Sequence, residues 1–239
     1  MKRILQLLFL GLVLLILFMG YKTLQFKSQQ IKVAAVALNP VGEQVVDRFA
    51  KAVTLQTISP EKESDFDSLV FFQFNDFLKT SFPLADSLLE KKRFNHFSHL
   101  YKWTGSDPSL KPVILMAHLD VVPVIEENLT DWKQPPFEGK ILNDTLWGRG
   151  TIDNKIGVMG LLEATEALLS NGFQPKRTLY LSFGHDEEIG GLRGAKVIVE
   201  HLKSQGIEAQ FVLDEGGTIS QNIIPGIEKD VALIGIAEK

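Results

Sequence analysis

The sequence contains no cysteine, and this absence excludes disulfide frameworks and every metal site built from thiolates. Any metal ion bound by the chain must therefore be held by histidine, aspartate or glutamate side chains. The sequence also lacks a large excess of either charge, because 25 lysines and arginines face 29 aspartates and glutamates, for a formal net charge of −4. Domains that bind nucleic acid are usually basic, so this balance predicts no nucleic-acid partner.

Polar side chains are nearly missing from residues 4–20, where Gln6 is the only one. A helix over this run spans about 25 Å at about 1.5 Å per residue, close to the lower limit for crossing a bilayer. No small-x-small cleavage signal follows, which favours a retained signal-anchor at residues 1–21, and a cleaved signal peptide stays open as the alternative. We expect the domain that follows to be membrane-anchored on the outer side, or secreted.

Residues 22–40 are predicted to be a linker, and residues 41–239 a globular domain. Apolar residues recur at helical spacing in four segments, 40–55, 65–79, 156–170 and 192–204. Short apolar runs predict buried strands at 113–117, 178–183, 210–213 and 231–236. Strands that alternate with helices predict an α/β fold with a central, mostly parallel sheet and helices on both faces.

Acidic and imidazole side chains follow three of these strands at the point where each strand ends. They are His118 and Asp120, then Glu187 and Glu188, then Asp214 and Glu215, while Asp153 lies in a glycine-rich turn before the 156–170 helix. In open α/β sheets, ligands bind beyond the carboxyl ends of the strands. Carboxylates gathered there without enough cations call for a divalent metal. Mixed nitrogen and oxygen ligands suit Zn²⁺, with Co²⁺ or Mn²⁺ as alternatives.

The spacing of these residues predicts a division of roles. On an extended segment Asp120 points the same way as His118, so it can fix the tautomer of that imidazole. Of the adjacent pair Glu187 and Glu188, one can bind metal while the other deprotonates a metal-bound water that attacks a carbonyl. We expect a structural role for His185, and we expect the remaining histidines to be solvated: His96, His99 and His201.

Four segments resemble one family of zinc exopeptidases and amidohydrolases, which includes carboxypeptidase S, aminoacylase and the N-fatty-acyl-amino-acid synthase/hydrolase. The segments are residues 116–123, 147–155, 184–188 and 214–217, and the last-named branch is the most similar. The resemblance implies that His118 and Asp214 bind one zinc, that Asp153 bridges two zincs and that Glu188 binds the second. It also implies that Glu187 is the general base and that Asp120 orients His118.

The same resemblance implies the reaction and the partners. The substrate would be a peptide or an N-acyl amino acid with a free carboxylate, cleaved at its amide bond, and the reverse condensation is also expected. In the family a lid domain follows the last predicted strand, carries the usual dimer surface and precedes a final histidine ligand. We therefore expect residues 41–239 to be a partial catalytic domain, and a weakly active or inactive metal-binding module is the alternative.

Overall fold

The computed structural model describes residues 2–27, 34, 41–217, 219–232 and 235, which divide into a unit within residues 1–40 and a second unit within 41–239. In the first unit, helix α1 (Lys2–Gln25) continues past residue 21 and exposes its apolar side chains. The helix is long enough to cross a membrane, and its most apolar stretch of 18 residues has a mean hydropathy of 2.5. A signal sequence meets the same criteria. Most of the linker predicted at 22–40 lies outside the described residues.

The second unit alternates helices and strands. Its helices are α2 (Glu43–Thr54), α3 (Ser68–Ser81), α4 (Pro83–Leu88), α5 (Lys155–Ser170) and α6 (Ala195–Ser204). Its strands are β1 (Glu90–Phe94), β2 (Ser98–Trp103), β3 (Val113–His118), β4 (Lys140–Leu142), β5 (Thr145–Trp147), β6 (Leu179–Gly184), β7 (Phe211–Leu213), β8 (Ile219–Ser220) and β9 (Val231–Ala232). Short 3₁₀ turns lie at Glu63–Asp65, Glu126–Asp131 and Glu187–Ile189.

Five strands form one sheet in the order β1-β2-β6-β3-β7. Strand β3 pairs in parallel with both β6 and β7, and this confirms the predicted parallel centre of the sheet. The hairpin β1-β2 adds two antiparallel strands at the side of β6. The hairpin was not predicted because β1, with the sequence EKKRF, is more charged than a typical strand. Its charge suits its place at the edge of the sheet.

Helices cover both faces of the sheet, as predicted. On one face Tyr101, Leu115 and Leu181 pack in a core with residues of α2, α3, α4 and α5. The neighbouring residues along the same strands point the other way, and they pack against Ile198 and Leu202 of α6. This alternation follows from the two-residue repeat of a strand.

Two predictions about the last strands were wrong. Strand β7 was expected to be buried, but its three side chains are exposed because it is the outermost strand of the described sheet. The run 231–236 was expected to form a further strand of the main sheet. Its described part, Val231–Ala232, instead pairs antiparallel with β8 in a separate two-stranded ribbon, and residues 233, 234 and 236 lie outside the described part of the chain.

Candidate metal centre

The carboxyl ends of β3, β6 and β7 bring the candidate ligands to one edge of the sheet. His118 is the last residue of β3 and pairs in register with Gly184, the last residue of β6. The turn Glu187–Ile189 follows β6 directly, so its acidic pair lies beside the imidazole. Glu215 arrives from the other side, two residues after the end of β7.

His118 is buried, and the two nitrogens of its imidazole face different partners. Nδ1 lies 3.0 Å from the main-chain oxygen of Asp120 and 3.4 Å from its carboxylate. Nε2 faces carboxylates, at 2.9 Å from Asp153, 3.2 Å from Glu215 and 3.8 Å from Glu187. An Nδ1–H that donates to Asp120 leaves Nε2 directed at these carboxylates, where it could share a metal ion with them once its own proton is displaced.

Helix α5 fixes the position of Asp153. The side chain of Asn154 caps the helix by accepting a hydrogen bond of 3.1 Å from the main-chain N–H of Gly157. The next residue, Lys155, is fully buried and its ammonium group donates to the main-chain oxygens of Ala52 and Leu55. Asp153 therefore precedes a helix start that is anchored in the core, and the peptide bond between Asp153 and Asn154 is cis.

Asp120 is fully buried and contacts both halves of the centre. One carboxylate oxygen accepts a hydrogen bond of 3.1 Å from the main-chain N–H of Glu187, and the other accepts one of 3.1 Å from that of Glu188. The carboxylate of Asp120, which contacts His118, thus also fixes the turn Glu187–Ile189, called the acidic turn below. The contact between Asp120 and His118 was predicted from the sequence, whereas the hydrogen bonds from the turn to Asp120 were not.

The charges of the site call for a cation. Burial lowers the pKa of His118, but the hydrogen bond and charge of Asp120, together with Glu215 and Asp153, more than offset this and raise it to about 10. Burial also raises the pKa of Glu188 and of Glu215, and neighbouring carboxylates add to both increases. A proton on His118 therefore supplies part of the positive charge that a bound metal ion would supply in full.

The donor atoms lie close enough together to hold a metal ion. Two overlapping groups each place their donor atoms within 4.8 Å of one another: His118, Asp153 and Glu188, and His118, Glu187 and Glu215. One imidazole and several carboxylates suit Zn²⁺, and equally Co²⁺ or Mn²⁺. The residues present therefore fit a metal centre, while the identity of the metal stays a prediction.

Three of the four predicted ligands lie together in the structure, and the fourth does not. His118, Asp153 and Glu188 lie together, with Glu187 and the carboxylate of Asp120 beside them. Asp214 belongs to neither group, and its carboxylate accepts a hydrogen bond of 2.9 Å from the main-chain N–H of Glu215. Glu215, the next residue after the same strand, lies beside His118 instead. The role of Asp214 as a ligand stays a prediction.

Sequence reasoning missed several residues that support the site. The hydroxyl of Thr57 donates to the main-chain oxygen of Leu119, and that of Ser59 donates to the oxygen of His185. Both residues lie between the predicted helical segments 40–55 and 65–79, where no site residue was expected. His185 has the structural role that was expected, since it is buried and its Nδ1 lies 2.6 Å from the hydroxyl of Ser98.

The expectation that His99 is solvated was wrong. Its side chain is fully buried and hydrogen-bonds through Nε2 to the amide oxygen of Asn75. Burial holds the pKa of His99 well below its usual value, and the charges of Lys91 and Arg93 add to that decrease. Because β2 was missed, nothing in the sequence analysis indicated that His99 faces the interior.

Known proteins with similar sequences include carboxypeptidase-like and amidohydrolase relatives. The chain is 39% identical over 249 residues to "Probable carboxypeptidase S-like 2" of Dictyostelium discoideum, a match that covers 100% of this chain and 47% of the relative. It is 43% identical over 199 residues to "N-fatty-acyl-amino acid synthase/hydrolase PM20D1.1" of Danio rerio, covering 82% and 38% respectively. The chain thus spans less than half the length of either relative.

The fold agrees as well. A metallo-carboxypeptidase of the M20 family from Sulfolobus solfataricus superposes with a TM-score of 0.59 at 22% identity, over 74% of this chain and 38% of that one. The model of peptidase family M20/M25/M40 matches residues 114–232, a range that includes His118, Asp153 and both glutamates of the acidic turn. The chain therefore belongs to peptidase family M20/M25/M40.

Proposed function

We propose that the chain forms the zinc-binding part of a hydrolase that cleaves an amide bond between an acyl group and an amino acid with a free carboxylate. The observation that carries this proposal is the convergence of carboxylates on Nε2 of His118, at distances that suit metal ligands. The names of the relatives support the substrate class, because they describe carboxypeptidases and an N-fatty-acyl-amino acid synthase/hydrolase. The substrate would be a peptide carboxyl terminus or an N-acyl amino acid.

The chain's residues would divide the work as follows. His118, Asp153, Glu188 and Asp214 would hold up to two zinc ions, with Asp153 shared between them. The bound metal supplies the positive charge that acidifies a water molecule and polarises the scissile carbonyl. Asp120 would keep His118 in the tautomer that leaves Nε2 free, and its contact with Nδ1 supports that role.

Glu187 is the candidate general base. Its carboxylate lies 3.8 Å from Nε2 of His118 and its side chain is 50% exposed, so both the metal-binding atoms and solvent can reach it. It would accept a proton from the attacking water and donate it to the nitrogen of the leaving amine as the C–N bond breaks. In the reverse condensation the same carboxylate would take a proton from the incoming amine as the C–N bond forms, and would return it to the oxygen that leaves as water.

A Glu187→Gln variant tests this assignment in the intact protein. We expect kcat for a dipeptide or an N-acyl amino acid to fall by about 10²- to 10⁴-fold, the usual contribution of a general base, while zinc content is retained. The matched control is Glu200→Gln, on the exposed surface of α6, which should keep full activity. Unchanged activity in Glu187→Gln would refute the base assignment. Zinc binding without turnover by the wild type would support the alternative of an inactive metal-binding module.

A further inference from the structure

A second buried carboxylate, that of Asp186, also contacts the loop that contains the acidic turn. Asp186 precedes the turn and is 1% exposed. Its Oδ2 accepts a hydrogen bond of 2.7 Å from the main-chain N–H of Arg193, at the far end of the loop that leads to α6. Its main-chain oxygen accepts one of 2.7 Å from the N–H of Gly191. One residue therefore closes the loop that begins with the two glutamates.

The surroundings of Asp186 leave its side chain little freedom. A Cβ atom added to Gly194 would lie 2.5 Å from Oδ1 of Asp186, 2.9 Å from the hydroxyl of Ser98 and 3.0 Å from the main-chain nitrogen of His185. The absence of a side chain at position 194 is thus what lets the carboxylate fit against the start of α6. Packing and hydrogen bonding fix the same side chain.

The loop that Asp186 closes depends on glycine. Gly190 and Gly191 have φ values of 98° and 65°, a conformation that side chains with a Cβ rarely adopt. Two left-handed residues in succession turn the chain back, so that the N–H of Arg193 reaches Asp186. This reversal also explains why α6 begins at Ala195 rather than at the predicted residue 192.

The positions of the two glutamates follow from these contacts. Asp120 holds the main-chain N–H groups of Glu187 and Glu188, and Asp186 accepts hydrogen bonds from Gly191 and Arg193, which follow them in the loop. With either carboxylate removed, the turn would keep one support and gain freedom to move the glutamate side chains away from His118. Residues that orient metal ligands in this way commonly change metal affinity by about 10- to 100-fold when replaced.

We propose that Asp186 is a positioning residue that places Glu188 for metal binding and Glu187 for proton transfer. The part that concerns Glu187 rests on the proposed function, whereas the part that concerns Glu188 requires only that the site binds metal. Asp186 acts through the loop, since its carboxylate is turned to the N–H of Arg193. An asparagine at this position retains an oxygen that can accept that hydrogen bond, and alanine does not.

The test compares Asp186→Ala and Asp186→Asn in the intact protein. We expect Asp186→Ala to weaken Zn²⁺ affinity, measured by calorimetry, by about tenfold or more and to lower kcat with little change in KM. Asp186→Asn should recover most of both losses. The control is Asp107→Ala, which removes the hydrogen bond from the main-chain N–H of Ser109 in the loop before β3, at the end of that strand opposite to His118. It should lower stability while leaving zinc affinity and kcat unchanged.

A second variant, at Gly194, tests the close packing between that residue and the carboxylate of Asp186. Gly194→Ala should reproduce the loss of zinc affinity, because its Cβ would displace the carboxylate of Asp186. Zinc affinity that is equal in the wild type, Asp186→Ala and Gly194→Ala would overturn the proposal. If these variants lose zinc affinity but the wild type hydrolyses no amide substrate, the proposed function fails while the positioning role for Glu188 stands.

Discussion

Nε2 of His118 lies 2.9 Å from a carboxylate oxygen of Asp153, although the two residues are 35 positions apart in the sequence. One side chain ends a buried strand and the other precedes a capped helix, so the contact is built by the fold rather than by local sequence. The imidazole side chain is nearly buried at 3% exposure, whereas that of Asp153 is 64% exposed. A metal ion at this contact would have protein on one side and access for substrate on the other.

Metal binding should strengthen as the pH rises. The pKa of His118 in the metal-free site is about 10, so at neutral pH a metal ion must displace a proton from this imidazole. We expect the apparent affinity for Zn²⁺ to increase by up to about tenfold per pH unit between about pH 6 and pH 8. Calorimetry in buffers of different ionisation enthalpy should show proton release on binding. Affinity that does not change with pH would contradict the account of the site.

Acid should destabilise the fold through His99. The pKa of this buried imidazole is held well below its usual value of 6.5, so the folded protein binds a proton less readily than the unfolded chain. Above about pH 6.5 the imidazole is neutral in both states, and the full free energy of unfolding is present. As the pH falls below about 6.5, the unfolded chain gains a proton first, and the free energy of unfolding decreases by up to about 1.4 kcal/mol per pH unit.

Urea unfolding of the wild type and of His99→Gln at several pH values measures this effect. The variant should be less stable at neutral pH, but its free energy of unfolding should fall less steeply between about pH 6.5 and pH 5. The matched control is His96→Gln, at an exposed position in the turn between β1 and β2, which should follow the wild type. A His99→Gln profile parallel to that of the wild type would show that His99 does not contribute to the acid sensitivity.

The start of α5 offers a test of how the fold supports Asp153. In Gly157→Ala the new Cβ would lie 2.4 Å from the capping oxygen of Asn154 and 3.0 Å from the side chain of Ala117. We expect a loss of about 1–3 kcal/mol in the free energy of unfolding and weaker zinc binding. Gly160→Ala, on the same helix with nothing within 4 Å, should keep zinc affinity and gain up to about 1 kcal/mol. Equal behaviour of the two variants would contradict this role for the cap.

The N-terminal helix gives a separate prediction. A retained α1 (Lys2–Gln25) should keep the protein in the membrane fraction after carbonate washing, and detergent should release it. Removal of residues 1–25 should make the protein soluble without loss of zinc binding. N-terminal sequencing of the mature protein distinguishes an anchor from a signal peptide, since a start beyond this helix would rule out the anchor.

Much of the centre could be predicted from local sequence because its residues follow buried strands. Runs such as 113–117 and 178–183 indicate strands, and parallel strands bring their carboxyl ends together, so His118 and Glu188 could be assigned to one site. The contacts of Asp120 and Asp186 with the acidic turn could not be predicted from the strand pattern. They depend on which main-chain N–H groups remain unpaired after β6, and that follows from how the loop folds against β3 and α6.

The charged strand β1 and the buried histidine of β2 show the same limit. The five residues of Glu90–Phe94 form a strand because β2 pairs with them, not because of their own preference. His99 tolerates burial because Asn75 of α3 meets its ring, a contact between distant segments. The choice between Asp214 and Glu215 likewise depends on the direction in which the chain leaves β7, which sequence spacing does not specify.

The most direct test of the central claim is the zinc content of the intact protein and of a His118→Phe variant, measured after dialysis against metal-free buffer. We predict that the wild type retains at least about one zinc ion per chain and that the variant loses most of it, because both candidate ligand groups share His118. Folding of the variant is checked by its circular dichroism. Equal zinc contents in the two folded proteins, or no zinc in the wild type, would contradict a metal centre at this edge of the sheet.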